Sequence, residues 1–351
     1  MTSTPGPAQI LSEFLMENAS NIGITALAFA CVQHYIPVVK ALAIFGMLCG
    51  FRLLYALSIG IWAAFLRPAK NVRDYGAWAL VTGCTDGIGK ALCHQFAQRG
   101  LNLVLVGRSE SKLRDMIQEF QALYKGVDYL PVVVDLCGPD LRAEVSRVER
   151  AIEGLEVGML VNNAGMSYPY ARFFHEVDDE LLTNLLRINV EAMTRMVHMV
   201  LPGMLKRRKG CIINMGSGAA SILSSDPLYS LYAATKGFVD QFSKSLNVEY
   251  RDVGIDIQCQ VPLYVATKMT RVRKPSLACP SPDTYAQCAM RWIGYEARVT
   301  PYFLHSLLWF IRGLFREHTL DANRLKTSLN IRKRGIARDA QKKQEEEATK
   351  I

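Results

Sequence analysis

The chain has nine cysteines but no C-x-x-C pair, and no Cys/His cluster stands at zinc-ligand spacing. An odd number of scattered thiols argues against a disulfide framework and for reduced cysteines facing the cytosol. No metal site is expected. Internal repeats and long low-complexity segments are missing too, which removes solenoids and disordered scaffolds from consideration. The first twenty residues lack a basic stretch and carry Glu13 and Glu17, so a cleavable signal peptide is not expected. Net charge is +9, yet no recognition module accompanies it, and nucleic acid is not an expected partner.

What the chain does have is apolar surface: half of its 351 residues are hydrophobic, ample for a large core. After an N-terminal segment, 1–21, residues 22–66 predict a hydrophobic membrane anchor. Its second half, "ALAIFGMLCGFRLLYALSIGIWAAFL", matches a bilayer crossing, with Arg52 as the single charge. The preceding apolar stretch carries Gln33, His34 and Pro37. It reads as a second crossing, a re-entrant piece or an interfacial helix; a long buried helix is the alternative to anchorage. Arg67, Lys70 and Arg73 follow the run and place that end in the cytosol. Residues 301–315 form a shorter apolar helix that either packs on the core or lies in the membrane interface. The basic tail, 316–351, is read as drawn to anionic headgroups or simply solvated.

Between them, residues 76–300 alternate strand and helix. Apolar runs at 77–82, 101–107, 129–135, 157–163, 210–215 and 254–261 suit strands buried on both faces. Helix-length segments at 87–99, 110–124, 179–207 and 229–251 separate them. The expected fold is α/β, a doubly wound parallel sheet of Rossmann type, with ligands at the carboxyl ends of the strands.

The unusual residues lie just there. After the first run comes "TGCTDGIGK", whose Gly83, Gly87 and Gly89 permit a tight turn and close approach of a pyrophosphate to a helix N-terminus. The second run ends in Gly107-Arg108, with no carboxylate for a ribose 2′-hydroxyl and an arginine suited to the 2′-phosphate of NADP. Asp135 closes the third run, where it contacts the adenine or caps the next helix. Two Tyr-x-x-x-Lys pairs occur, Tyr232/Lys236 and Tyr264/Lys268. On a helix this spacing puts a cation beside a phenol, which an acid–base tyrosine requires. The spacing alone does not choose between them.

With "TGCTDGIG", "NNAG" (162–165) and Tyr-x-x-x-Lys in order, the chain resembles the short-chain dehydrogenase/reductase superfamily over residues 76 to 300. That resemblance selects Tyr232 and Lys236, because "INMGSG" supplies Ser217 fifteen residues earlier, with Ser221 as a minor rival. It implies that Tyr232 delivers a proton to a carbonyl oxygen as NADPH hydride reaches the carbon. Lys236 lowers the tyrosine pKa and holds the nicotinamide ribose, Ser217 hydrogen-bonds the carbonyl, and Asn189 completes a tetrad through water. The resemblance also places the cofactor on Gly83, Thr85, Asp86, Gly87, Ile88 and Gly89 of the glycine turn. Further cofactor contacts fall to Arg108, Asp135, Asn162, Ala164, Gly165, Tyr232 and Lys236, and to Val265 and Thr267 of a V-x-T loop.

The stretches "LRPAKNVRDYGAWALVTGCTDGIGKA", "NNAGMSYPYARFFHEVDDELL", "INMGSGAA" and "CQVPLYVATKMT" look closest to the membrane-bound very-long-chain 3-oxoacyl-CoA reductases of microsomal fatty-acid elongation. This implies NADPH-dependent reduction of 3-oxoacyl-CoA to 3-hydroxyacyl-CoA at the endoplasmic reticulum membrane, catalytic domain facing the cytosol. It also implies the other elongase components as partners: the condensing enzyme, 3-hydroxyacyl-CoA dehydratase and enoyl-CoA reductase. The rival readings are a 17β-hydroxysteroid or other lipid-carbonyl reductase, and an inactive membrane-tethered scaffold.

Overall fold

The computed structural model describes residues 7–313 and 315–349, and the chain divides into two units after Trp62. The first unit is one long helix, α1 (Pro7–Ile61), which continues through Pro37. A π-helical turn, Trp62–Leu66, extends it. Among the described residues Ile36–Leu66 is the helix long and apolar enough to cross a membrane, with mean hydropathy 1.9. Phe45, Leu48, Phe51 and Leu54 are all exposed along it. A helix apolar on every face suits a lipid environment better than water.

The second unit is built on a seven-stranded, all-parallel sheet in the order β3-β2-β1-β4-β5-β6-β7. Along the chain come β1 (Trp78–Thr82), α2 (Gly87–Gln98), β2 (Asn102–Gly107), α3 (Glu110–Leu123) and β3 (Tyr129–Val133). Then follow α4 (Leu141–Ala151), β4 (Val157–Asn162), α5 (Asp179–Leu186), α6 (Met193–Arg207), β5 (Gly210–Met215) and α7 (Gly218–Ser221). The rest is α8 (Ser230–Tyr250), β6 (Ile255–Gln260), α9 (Pro282–Met290), β7 (Arg298–Val299), α10 (Phe303–Arg312) and α11 (Glu317–Thr349). The strand order reverses between β1 and β4, which makes the crevice above that pair the natural ligand site.

The apolar runs are strands because both sheet faces are covered. Leu92, Phe96, Leu113, Phe120 and Tyr285 fill one side; Leu80, Val104, Met196, Val197 and Ile212 belong to the other. The expected third run is shorter than read, since β3 stops at Val133 and leaves Asp135 in a turn. The long helix expected over 179–207 is interrupted by a π-helical segment, Arg187–Ala192, between α5 and α6. Such bulges re-aim side chains and are common at functional sites. The basic C-terminal residues form α11, whose Asp321, Arg324 and Arg332 pair with groups in the loops after β4 and β5.

Candidate active site

The turn between β1 and α2 is packed so closely that its glycines cannot be replaced. Gly83 has φ +62°, and a Cβ there would lie 2.9 Å from Ala164 Cα. At Gly89 a Cβ would collide with the Asn163 side chain and the Gly83 carbonyl. Gly87, at φ +54°, lies against the Thr267 methyl group. The first N–H groups of α2 are thereby brought to an open, side-chain-free cradle suited to a pyrophosphate. Asp86 caps the helix, its carboxylate accepting from Gly87 N at 2.8 Å and pairing with Lys268 at 2.6 Å. Thr85 lies beside Gly107, whereas Ile88 turns into the core.

Two residues outside the expected set hold this cradle. The Thr82 hydroxyl accepts from the backbone N–H groups of Asn163 and Ala164 at 3.1 and 3.0 Å. Asn163 Nδ2 donates to the carbonyls of Thr82 and Gly83 at 3.2 and 2.9 Å. The doubled Asn of "NNAG" was the available signal: strand alternation sends neighbours to opposite sides. Asn162 goes the other way, donating to Asn214 at 2.8 Å, and Asn214 donates to Ser243 at 2.9 Å. Its side chain is committed to joining β4, β5 and α8. Gly165 completes the stretch, since a Cβ there would stand 2.9 Å from Asn189 Oδ1 and 3.5 Å from Lys236 Nζ.

Arg108 is exposed directly after β2 and has no ion-pair partner among the described residues. Asp135 is exposed as well, its carboxylate accepting from Cys137 N at 3.0 Å. The cap of α4 is Asp140, which accepts from Ala143 N at 3.0 Å, so Asp135 is free of that duty. Val265 is buried in the core, and Thr267 is tied to Thr270 in the loop after β6.

Ser217, Tyr232 and Lys236 meet above the end of β5. Ser217 is the N-cap of α7, its Oγ accepting from Ala219 N at 3.2 Å. Tyr232 and Lys236 lie one turn apart on α8, with Lys236 Nζ 6.0 Å from the Tyr232 ring centre. Burial raises the Tyr232 phenol, and a hydrogen bond with Ser217 opposes the rise. Burial lowers Lys236 to about 8. Its ammonium donates to the Met215 carbonyl at 2.9 Å, leaving further N–H donors for a ligand. Asn189, aimed by the π-helical segment, donates to the Met166 carbonyl at 2.9 Å and to Thr235 Oγ1 at 3.1 Å. It also accepts from Met166 N at 3.0 Å. Ser221 keeps a buried hydroxyl without a hydrogen-bond partner among the described residues.

The rival pair is not a pair. Tyr264 and Lys268 lie in a loop rather than on a helix. Tyr264 Oη accepts from Arg324, and Lys268 goes to Asp86.

A family model described as short chain dehydrogenase matches residues 77–277. The chain belongs to the short-chain dehydrogenase family. This short-chain dehydrogenase is therefore an oxidoreductase, and its glycine cradle and buried lysine fit a nicotinamide cofactor. It is 45% identical over 277 residues, 78% of this chain and 87% of the relative, to a very-long-chain 3-oxoacyl-CoA reductase-like protein of Arabidopsis thaliana. It is 35% identical to the very-long-chain 3-oxoacyl-CoA reductase of Anas platyrhynchos, over 92% of this chain and 97% of that one. Among solved structures, a short-chain dehydrogenase from Sphingobium yanoikuyae in complex with NADPH superimposes with a TM-score of 0.57 at 28% identity. The match covers 68% of this chain and 96% of that one.

Proposed function

We propose that this enzyme reduces very-long-chain 3-oxoacyl-CoA to 3-hydroxyacyl-CoA with NADPH, on the cytosolic face of the endoplasmic reticulum membrane. The observation that carries the reading is the convergence of Ser217, Tyr232 and Lys236 beside the glycine cradle, in a chain matching reductases of that name over most of its length. NADPH is favoured over NADH by Arg108, an exposed guanidinium at the end of β2 where no carboxylate competes for a ribose hydroxyl. The apolar stretch Ile36–Leu66 supports anchorage, and Arg67, Lys70 and Arg73 after it favour the cytosolic side. Elongase partners follow from the reaction: a condensing enzyme supplies the 3-oxo group, and a dehydratase consumes the 3-hydroxy product.

The cofactor, when bound, supplies the hydride. Every other requirement falls to the chain. The Ser217 hydroxyl, held at the α7 N-terminus, orients the substrate carbonyl oxygen toward the Tyr232 phenol. Tyr232 gives its proton to that oxygen as negative charge develops there. Lys236, cationic below about pH 8, stabilises the phenolate left behind. Asn189 fixes the backbone at Met166, after the glycine of the NNAG stretch.

The test is NADPH oxidation by the full chain in microsomes, with 3-oxoacyl-CoA substrates of increasing length and a 17-ketosteroid. Turnover should be greatest on long 3-oxoacyl-CoA. Preference for the ketosteroid, or NADPH binding without turnover on any carbonyl, would sink the proposal.

A further inference from the structure

Helix α11 carries contacts that the cofactor and the proton transfer do not explain. Asp321, Arg324, Ser328, Arg332 and Gly335 recur at helical spacing and form one face. Asp321 accepts from Ser225 at 2.6 Å, Arg332 pairs with Glu176, and Gly335 packs against the Tyr170 ring, leaving no room for a side chain. Ser328, midway along this face, is fully buried. The tightest contact is Arg324 with Asp226: Nε and Nη2 both reach Oδ1 at 2.6 Å, with side-chain exposures of 12% and 4%. The same guanidinium donates to Tyr264 Oη at 3.1 Å.

Asp226 stands in the loop between α7 and α8, and its carbonyl accepts from Tyr229 N at 3.1 Å, just before the helix that bears Tyr232. It is the acidic group whose charge reaches the Tyr232 phenol, and together with Tyr264 it raises that phenol. We propose that Arg324, delivered by the C-terminal helix, is a positioning residue of the active site. It holds Asp226 and Tyr264 in one network and screens the Asp226 charge from Tyr232. The inference rests on Tyr232 being the proton donor.

A buried carboxylate stripped of its guanidinium either keeps its charge and opposes formation of a phenolate nearby, or takes up a proton. Burial raises the Asp226 carboxyl, Arg324 holds it down, and Arg312 from the end of α10 helps at longer range without forming an ion pair. On its own loop side Asp226 meets the Tyr229 phenol, itself pushed up to about 12 by burial. Tyr232 is faced by Ser217, Lys236, Tyr264 and Asp226. An unscreened Asp226 raises Tyr232, so the alkaline limb of the reduction profile, above which Tyr232 has lost its proton, moves up. An unscreened Arg324 moves it down.

The experiment measures kcat and KM against pH for the full chain in detergent. Arg324→Met should lower kcat more than it changes KM and shift the alkaline limb upward by about half a pH unit or more. Asp226→Asn should shift it downward, and Asp226→Asn/Arg324→Met should return it to the wild-type position. Where Arg324→Met fails to fold, the sign of the Asp226→Asn shift carries the test alone. Limbs that superimpose on wild type, or a double variant displaced like the single, would overturn the proposal and leave α11 a purely structural strap. Tyr232→Phe in parallel separates the two readings. If it keeps turning over, the proton-donor assignment falls; if it is dead while the limbs stay fixed, only the role of Arg324 falls.

Discussion

Lys236 Nζ stands 6.0 Å from the centre of the Tyr232 ring and is 7% exposed, a cation buried for its neighbour's sake rather than for the fold. Its pKa falls from 10.5 to about 8, so between those values the folded state binds fewer protons than the unfolded state. Wild-type stability therefore rises with pH across that window, and the burial cost is fully present below pH 8. Lys236→Met should abolish reduction yet stabilise the cofactor-free protein at pH 7 by at most about 3 kcal/mol, read as a higher melting temperature. The gain should fade as pH approaches 10.5. A melt that drops at pH 7 would show that the Met215 hydrogen bond outweighs the desolvation cost.

Tyr232→Phe keeps the ring and its packing and removes the hydroxyl that donates the proton. Turnover should be lost while NADPH binding, read by fluorescence, survives. Tyr264→Phe should keep substantial activity, because its hydroxyl touches Arg324 rather than the reacting centre. The reverse pattern would move the catalytic role to Tyr264.

Arg108 should discriminate cofactors. Arg108→Ala removes the exposed guanidinium after β2, and NADPH affinity should fall about tenfold or more while NADH affinity changes little. Equal losses for both cofactors would show that the 2′-phosphate is held elsewhere.

The cradle makes a steric prediction as well. Gly89→Ala drives a methyl group into Asn163 and the Gly83 carbonyl, so cofactor binding and stability should both collapse. Asn163→Ala should weaken cofactor binding about tenfold through loss of the bonds to Thr82 and Gly83, with a smaller loss of stability. Unchanged affinity in Asn163→Ala would mean that the turn is held by the Thr82 hydroxyl alone.

Most of the sheet was legible because burial on both faces writes β1, β2, β4 and β5 as largely apolar runs, and the cradle because no other residue fits Gly83 or Gly89. β7 was not, since Arg298–Val299 is too short to show a period. The docking of α11 was invisible for a different reason. Its contacts are made by Asp321, Arg324 and Arg332, residues that in sequence look like solvated charge, and their partners lie about a hundred residues or more away. Nor does composition distinguish Asn162 from Asn163; only strand register sends one into the sheet and the other to the glycine turn.

The last prediction concerns α10, read from the sequence as either core or membrane interface. It is anchored from one side. His305 is fully buried, its Nδ1 accepting from Leu263 N at 3.3 Å and its Nε2 reaching the Ala278 carbonyl at 3.3 Å. That ties the helix to the loop that carries Val265 and Thr267. Phe303 at its start meets Phe65 at 5.1 Å between ring centres. The other side is left open: Leu307 and Phe310 are 37% and 42% exposed, and Leu308 and Ile311 are exposed beside them. Trp309 stacks under Arg298 at 4.6 Å and, with Phe310, borders a shallow open depression on the surface. A helix held along one side by His305, Ser306 and Trp309 and apolar on its free face would suit a headgroup boundary, from which a long acyl chain could enter. Leu307→Ser with Phe310→Ser should therefore raise KM for long 3-oxoacyl-CoA several-fold, spare short substrates and leave NADPH affinity unchanged. A uniform loss of activity with a lower melting temperature would assign the face to the core instead.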